Sequence, residues 1–135
     1  MKLLPKNKFD FAPFPALMEI SEEKIQPILP QLLFWIADMN WPIATSMVKV
    51  LIRFPDSVVP LIRERLKPTE TDEDWKFFII VDLLPALPIT SQELLVESIE
   101  RILNTPTDEE VSCCVREAAK NYMNKRGRRV CQRNT

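Results

Sequence analysis

Residues Leu32 to Ala44 read L-L-F-W-I-A-D-M-N-W-P-I-A, and this stretch decides the fold. Before it, Ile25, Ile28, Leu29, Leu32, Leu33 and Ile36 recur at helical spacing and form one apolar stripe. After it, Ala44, Met47, Val48, Leu51 and Ile52 repeat the pattern. Between the two lie Asp38, Met39, Asn40 and Trp41. Asp and Asn side chains accept hydrogen bonds from the free backbone N–H groups of a helix start. A proline in the first helical turn forfeits no intrahelical bond, which suits Pro42. The stretch therefore predicts one helix ending, a tight polar corner and a second helix starting on Pro42. So short a link puts the two helices antiparallel and in contact.

Working outward, a short helix is expected from Pro13 or Pro15 to Glu19. Ser21 follows as an N-cap, with Glu22 and Glu23 favoured at the positive helix end. The helix it starts runs to about Ala37. Pro27 sits near its beginning, and Pro30 either kinks it or marks its true start. The helix after the corner runs to about Phe54. Pro55 stops it, Asp56 caps the next, and that one spans about Ser57 to Lys67. After a polar loop, Thr71 and Asp74 suggest a cap for W-K-F-F-I-I-V-D-L-L-P-A-L, residues 75–87. Its β-branched and aromatic content suits a buried strand, but its length and the preceding cap favour a helix, apolar almost all round and therefore central. Thr90 with Glu93, and Thr107 with Glu110, have capping-box spacing for two further helices. The last carries Val111, Cys114, Val115, Ala118, Tyr122 and Met123 at helical spacing.

A faint repeat runs through this order. Pro27 to Pro60, Pro55 to Pro88 and Leu33 to Leu66 are each 33 residues apart, and Trp41 to Trp75 is 34. A period in that range marks an α-solenoid, whose units bury their faces only by stacking on neighbours. The fold class read from the sequence is all-α: a short right-handed α-solenoid of about three antiparallel helix pairs, with one helical-repeat domain over 1–124 and a basic, flexible tail over 125–135.

The segment W-I-A-D-M-N-W-P-I-A, preceded by I-Q-P-I-L-P-Q-L-L and followed by W-K-F-F-I-I-V-D-L-L-P-A-L-P, resembles a family of uncharacterised bacterial proteins, domain-of-unknown-function family 5071. The resemblance covers roughly Pro5 to Met123, and its W-I-x-D-x-N-W-P core fixes two Trp, one Asp, one Asn and one Pro in register. It implies a HEAT-like helical fold and implies no activity. The basic tail lies outside the pattern.

Composition narrows the chemistry. The chain of 135 residues suits one domain with a real core. It has no apolar run of transmembrane length, and M-K-L-L-P-K-N-K lacks the apolar stretch of a signal peptide. Cys113, Cys114 and Cys131 are an odd count outside metal-like spacing, which fits a reduced, cytoplasmic setting. With no histidine, His-activated nucleophiles and His-ligated metals are excluded within the chain. With one glycine, Gly127, no Gly-rich phosphate cradle forms. The expectation is no cofactor and no bound metal. The whole chain holds 18 basic and 19 acidic side chains, and residues 125–135 hold five basic and no acidic ones. The body therefore carries −6 and the tail +5. An acidic body is a poor ligand for a phosphate backbone.

The candidate binding residues are Asp38, Asn40 and Trp41 at the first corner and Trp75 and Lys76 at the matching place one unit on. If the units stack, these corners line one edge. The competing reading is structural: Asp38 and Asn40 serve the backbone, Trp75 packs in the core, and Lys76 is a solvated charge or a partner for Asp38. Asp82 interrupts an apolar run and needs a partner such as Arg53. Cys114 reads as a small hydrophobe on the stripe, Cys113 as more exposed and Cys131 as inert. K-R-G-R-R at 125–129 is a weak signal for an acidic partner or nucleic acid. No catalytic residue is assigned. The favoured function is a non-enzymatic protein- or peptide-binding module of adaptor or immunity type, soluble and not membrane-bound. The alternative is a nucleic-acid-binding, DNA-glycosylase-like helical-repeat protein using Trp41, Trp75 and Asp38. The acidic body opposes it.

Overall fold

Twelve prolines and a single glycine set how the helices begin and end. The computed structural model describes residues 3–133, with side chains as far as Gly127. Helix α1 is short, Phe14–Leu17. Next, α2 (Glu22–Ile25) passes through a 3-10 turn, Gln26–Ile28, into α3 (Leu29–Phe34). Pro27 and Pro30 thus divide one amphipathic stripe into three pieces, each proline standing in the first two positions of its piece, where its missing N–H removes no bond. After the corner come α4 (Ala44–Leu51) and α5 (Pro55–Arg65), the latter starting on Pro55 itself. The apolar segment is helical: α6 (Glu73–Phe78), a π turn (Ile79–Leu83) and a 3-10 turn (Leu84–Ala86). It is followed by α7 (Ile89–Glu93), α8 (Val96–Asn104), α9 (Asp108–Ser112) and α10 (Val115–Arg133). Among the described residues there is no strand.

The expected caps fare unevenly. Thr107 and Glu110 make the full capping box at α9, each side chain bonding the other's backbone N–H. The cap of α6 is Asp72, which accepts from the Trp75 N–H at 3.1 Å, in place of Thr71 with Asp74. Thr90 caps nothing, because α7 starts one residue before it with Pro88 at the cap position. Asp38 and Asn40 do not cap α4. Asp38 accepts from Asn40's own N–H at 2.8 Å, a local turn, while the Ile43 N–H donates to the Lys8 carbonyl of the lead-in.

Helix C-termini leave carbonyls without partners, and a glycine just past the end is the usual remedy. With one glycine in the chain, side chains from other helices do this work. Arg53 donates to Leu17 O and, at 3.3 Å, to Ile20 O. The Trp75 indole donates to Leu33 O at 3.1 Å, Arg101 to Leu66 O at 2.7 Å, Arg63 to Leu94 O at 3.0 Å and Arg116 to Leu103 O at 3.2 Å. Each acceptor lies near or just past the end of α1, α3, α5, α7 or α8, and the four arginines also bring a cation to the negative end of the helix.

One apolar core runs from Leu17 to Tyr122. α3 packs on α4, α1 on α4, and α10 on α6, the π turn and α8. The predicted stripe of the last helix is interrupted. Cys114 adopts φ 66°, in the left-handed region, which separates α9 from α10 and changes the register between them. Val111 is therefore 53% exposed and Cys114 is exposed, while Val115, Ala118 and Tyr122 are buried.

Candidate functional site

The corner at Asp38–Pro42 joins α3 to α4, and four aromatic rings gather on it. Phe34, at the end of α3, sits among three tryptophans. Its ring centroid is 5.9 Å from Trp35, 5.7 Å from Trp41 and 5.9 Å from Trp75. Trp35 and Trp41 meet edge-on at 5.7 Å. Tilted and T-shaped contacts of this kind set a positive ring edge against a negative ring face. Trp75 is fixed from two further sides: its indole N–H by Leu33 O, and its face by the Arg65 guanidinium at 5.3 Å. Arg65 pairs in turn with Glu70 at 3.3 Å. The three tryptophans are half-buried, but Phe34 is 46% exposed. Phe34 is thus an exposed phenylalanine packed against three tryptophans.

Of the five residues singled out from the sequence, Trp41 and Trp75 meet through Phe34, and Asp38 and Asn40 lie in the adjoining turn, Asn40 exposed. Lys76 is elsewhere. Consecutive helical residues point about 100° apart, so with Trp75 at the edge Lys76 turns inward and is fully buried. Its Nζ donates to Glu110 Oε2 at 3.0 Å and to Glu73 Oε1 at 3.4 Å, with Glu73 Oε2 also within charge-pairing distance at 3.2 Å. Glu110, also fully buried, is held by both terminal nitrogens of Arg101 and by the Thr107 N–H at 2.8 Å. Burial would raise its carboxyl pKa. The bonds from Arg101, Thr107 and Lys76 outweigh burial and hold it at about 2. This cluster is a structural cross-tie between α6, α8 and α9, with no room for a substrate.

Asp82 does not pair with Arg53, which is committed to the α1 carbonyls and stacks on Phe54 at 4.8 Å. Asp82 lies half-buried in the π turn, and burial raises its pKa. Among the described residues no acid or base is hydrogen-bonded or ion-paired with it to make a catalytic pair. Among the described residues no group of His, Cys, Asp or Glu could hold a metal ion, and no described helix is long and apolar enough to cross a membrane. The side chains of Arg128, Arg129, Cys131 and Arg133 lie outside what the structure describes.

Sequence reasoning missed two features. Phe34 was read only as part of the stretch that decides the fold. Its place one residue off the buried Leu29–Leu32–Leu33–Ile36 stripe was the signal that it faces out. A cavity beside α10 was also missed, because it depends on the π turn, which has no periodic signature.

A family model described as a domain of unknown function (DUF5071) matches residues 3–123. The chain belongs to this family. The match spans every helix from α1 through α9 and the first half of α10, the aromatic corner included. No curated protein matches the chain.

Proposed function

We propose that this DUF5071 protein is a non-enzymatic protein- or peptide-binding module. In this reading its helix pairs stack as a short right-handed HEAT-like solenoid, and the partner docks on the aromatic corner. One observation carries the proposal: Phe34 is exposed at the centre of a rigid ring of Trp35, Trp41 and Trp75. Protein interfaces draw most of their binding energy from a few such aromatic anchors, already ordered before the partner arrives. The adjoining Asp38–Asn40 turn supplies a polar rim of the kind that surrounds such anchors. Lys76, being buried, takes no part.

The test is comparative capture from native lysate under several growth conditions, using the full chain and its Phe34→Asp variant. Wild type should retain a stoichiometric partner. The variant should lose it with an unchanged circular dichroism spectrum, because Phe34 is already half in water. Absence of any stoichiometric partner, or equal capture by both chains, overturns the reading.

A further inference from the structure

Beside α6, the π turn and α10 lies a cavity of about 240 Å³, separate in its lining from the aromatic corner. Phe77, Ile80, Val81, Ile89 and Ala118 make it largely apolar. Three irregularities converge on it. The π turn carries Ile80 and Val81 into its lining, and π turns recur at functional sites because they displace side chains from helical register. Cys114, also in the lining, holds a backbone conformation that is costly for any residue but glycine. Arg126 lines it too, and its Nε is shielded from solvent with no acceptor among the described residues. A buried donor left without a partner in a native fold calls for an explanation.

The other polar groups point to what is missing. The Gln92 side chain is satisfied: its Nε2 donates to Leu87 O at 2.7 Å, and its Oε1 accepts from the Tyr122 hydroxyl at 2.6 Å. Lys125 lines the cavity without an ion pair among the described residues. Arg126 reaches Glu93 at 3.5 Å, but Glu93 is largely in water, so that pair holds it weakly. Glu117 is the single acid in the lining, which leaves a net charge of +1 from Lys125, Arg126 and Glu117. Apolar cavities of roughly 150 Å³ take benzene, so this one has room for on the order of eight to ten carbons. Val81, 45% exposed here, is apolar surface such a body would cover.

We propose that this cavity binds a small amphipathic carboxylate, its chain against Phe77, Ile80, Val81 and Ile89 and its anionic end on Arg126 and Lys125. The site is independent of the aromatic corner. A charge-assisted bond from a guanidinium held only by the solvent-exposed Glu93, with its Nε unmatched among the described residues, gives the acid its advantage over a neutral analogue.

Titrating the isotope-labelled full chain with octanoate and, separately, with 1-octanol tests this by amide shifts. Octanoate should bind saturably, with shifts centred on the π turn and α10, and octanol about tenfold more weakly. Arg126→Gln should weaken octanoate about tenfold and leave octanol unchanged. Ile89→Trp, which fills the space, should weaken both; if that variant does not fold, Arg126→Gln at the half-exposed mouth still decides. Equal affinity for acid and alcohol, non-saturable shifts, or shifts centred on Trp41 overturn the proposal. So does a peptide ending in a free leucine carboxylate that binds over tenfold tighter than octanoate, since the site would then be a receptor for a protein C-terminus.

Discussion

Replacing Glu110 with glutamine removes one charge from the centre of the molecule and leaves the helix cap in place. Glutamine serves at the third position of a capping box as well as glutamate does, so the Thr107 N–H keeps an acceptor. What is lost is the counter-charge. Lys76, with no solvent contact, retains only Glu73, and Arg101 retains only Leu66 O. Breaking a buried pair from one side costs roughly 3–5 kcal/mol, because the remaining charge is uncompensated. That is a large share of the roughly 5–15 kcal/mol available to a domain. Lys76→Met removes the other partner with a different result. Glu110 keeps Arg101 and the Thr107 N–H, Glu73 turns to water, and methionine fills much of the lysine volume, so the cost should be about 1–2 kcal/mol. Urea unfolding at neutral pH measures both, with the dependence on urea unchanged.

The acid limb gives an independent check. Glu110 is held at about 2 against an ordinary 4.5. A depressed acid contributes stability that is present above its unfolded pKa and lost as pH falls through the folded one. Glu110 should therefore account for about 3 kcal/mol of the loss between roughly pH 4.5 and 2. The Gln variant should lack that component, so wild type and variant converge in stability on acidification. A cost below about 1 kcal/mol for Glu110→Gln, a greater cost for Lys76→Met, or parallel acid curves would refute the reasoning.

Two further predictions concern helix ends. Arg53→Met should destabilise by about 2 kcal/mol, since the hydrogen bonds donated to two carbonyls and the stacking on Phe54 are lost together; hydrogen exchange should show the loss concentrated in the amides of α1, and uniform loss across the chain would count against local capping. Cys114→Gly should raise stability by about 1 kcal/mol by relieving the left-handed backbone, whereas Cys114→Ala should not; a lower melting temperature for the glycine variant would mean the Cys114 side chain contributes more than its backbone costs.

The parts of this fold legible in the sequence are those set by residues close together in the chain. The Thr107–Glu110 box was readable because both halves of the motif lie within one turn, and the helix start at Pro30 because a proline acts on its own turn; the separate 3-10 turn at Pro27 was not. The buried cluster was less accessible, since Lys76 and Glu110 are 34 residues apart. It was nonetheless implied by a conflict within the sequence reading. A segment at 75–87 apolar on nearly every side offers no solvent face for Lys76, so a helix placed centrally must bury that lysine and supply an acid. Placing Lys76 on the surface edge was inconsistent with placing its helix in the core. The π turn left no such trace, because one extra residue in a turn alters no composition and little periodicity.

The 33-residue spacing gains a physical meaning from the carbonyl acceptors. Leu33 and Leu66 stand at equivalent points, near the ends of α3 and α5, and both are buried. Both carbonyls are met by a donor from later in the chain, an indole in one case and a guanidinium in the other. Apolar packing alone would not fix how one helix sits against another, because leucine and isoleucine surfaces slide at little cost. A directional bond to the last carbonyl of a helix does fix it, and it also replaces the cap that a chain with one glycine lacks. The same bond orients Trp75 so that its ring meets Phe34, which makes the aromatic corner a consequence of how the helix ends are satisfied. The scarcity of glycine at helix ends and the exposed aromatic corner are thereby linked through the Trp75 indole.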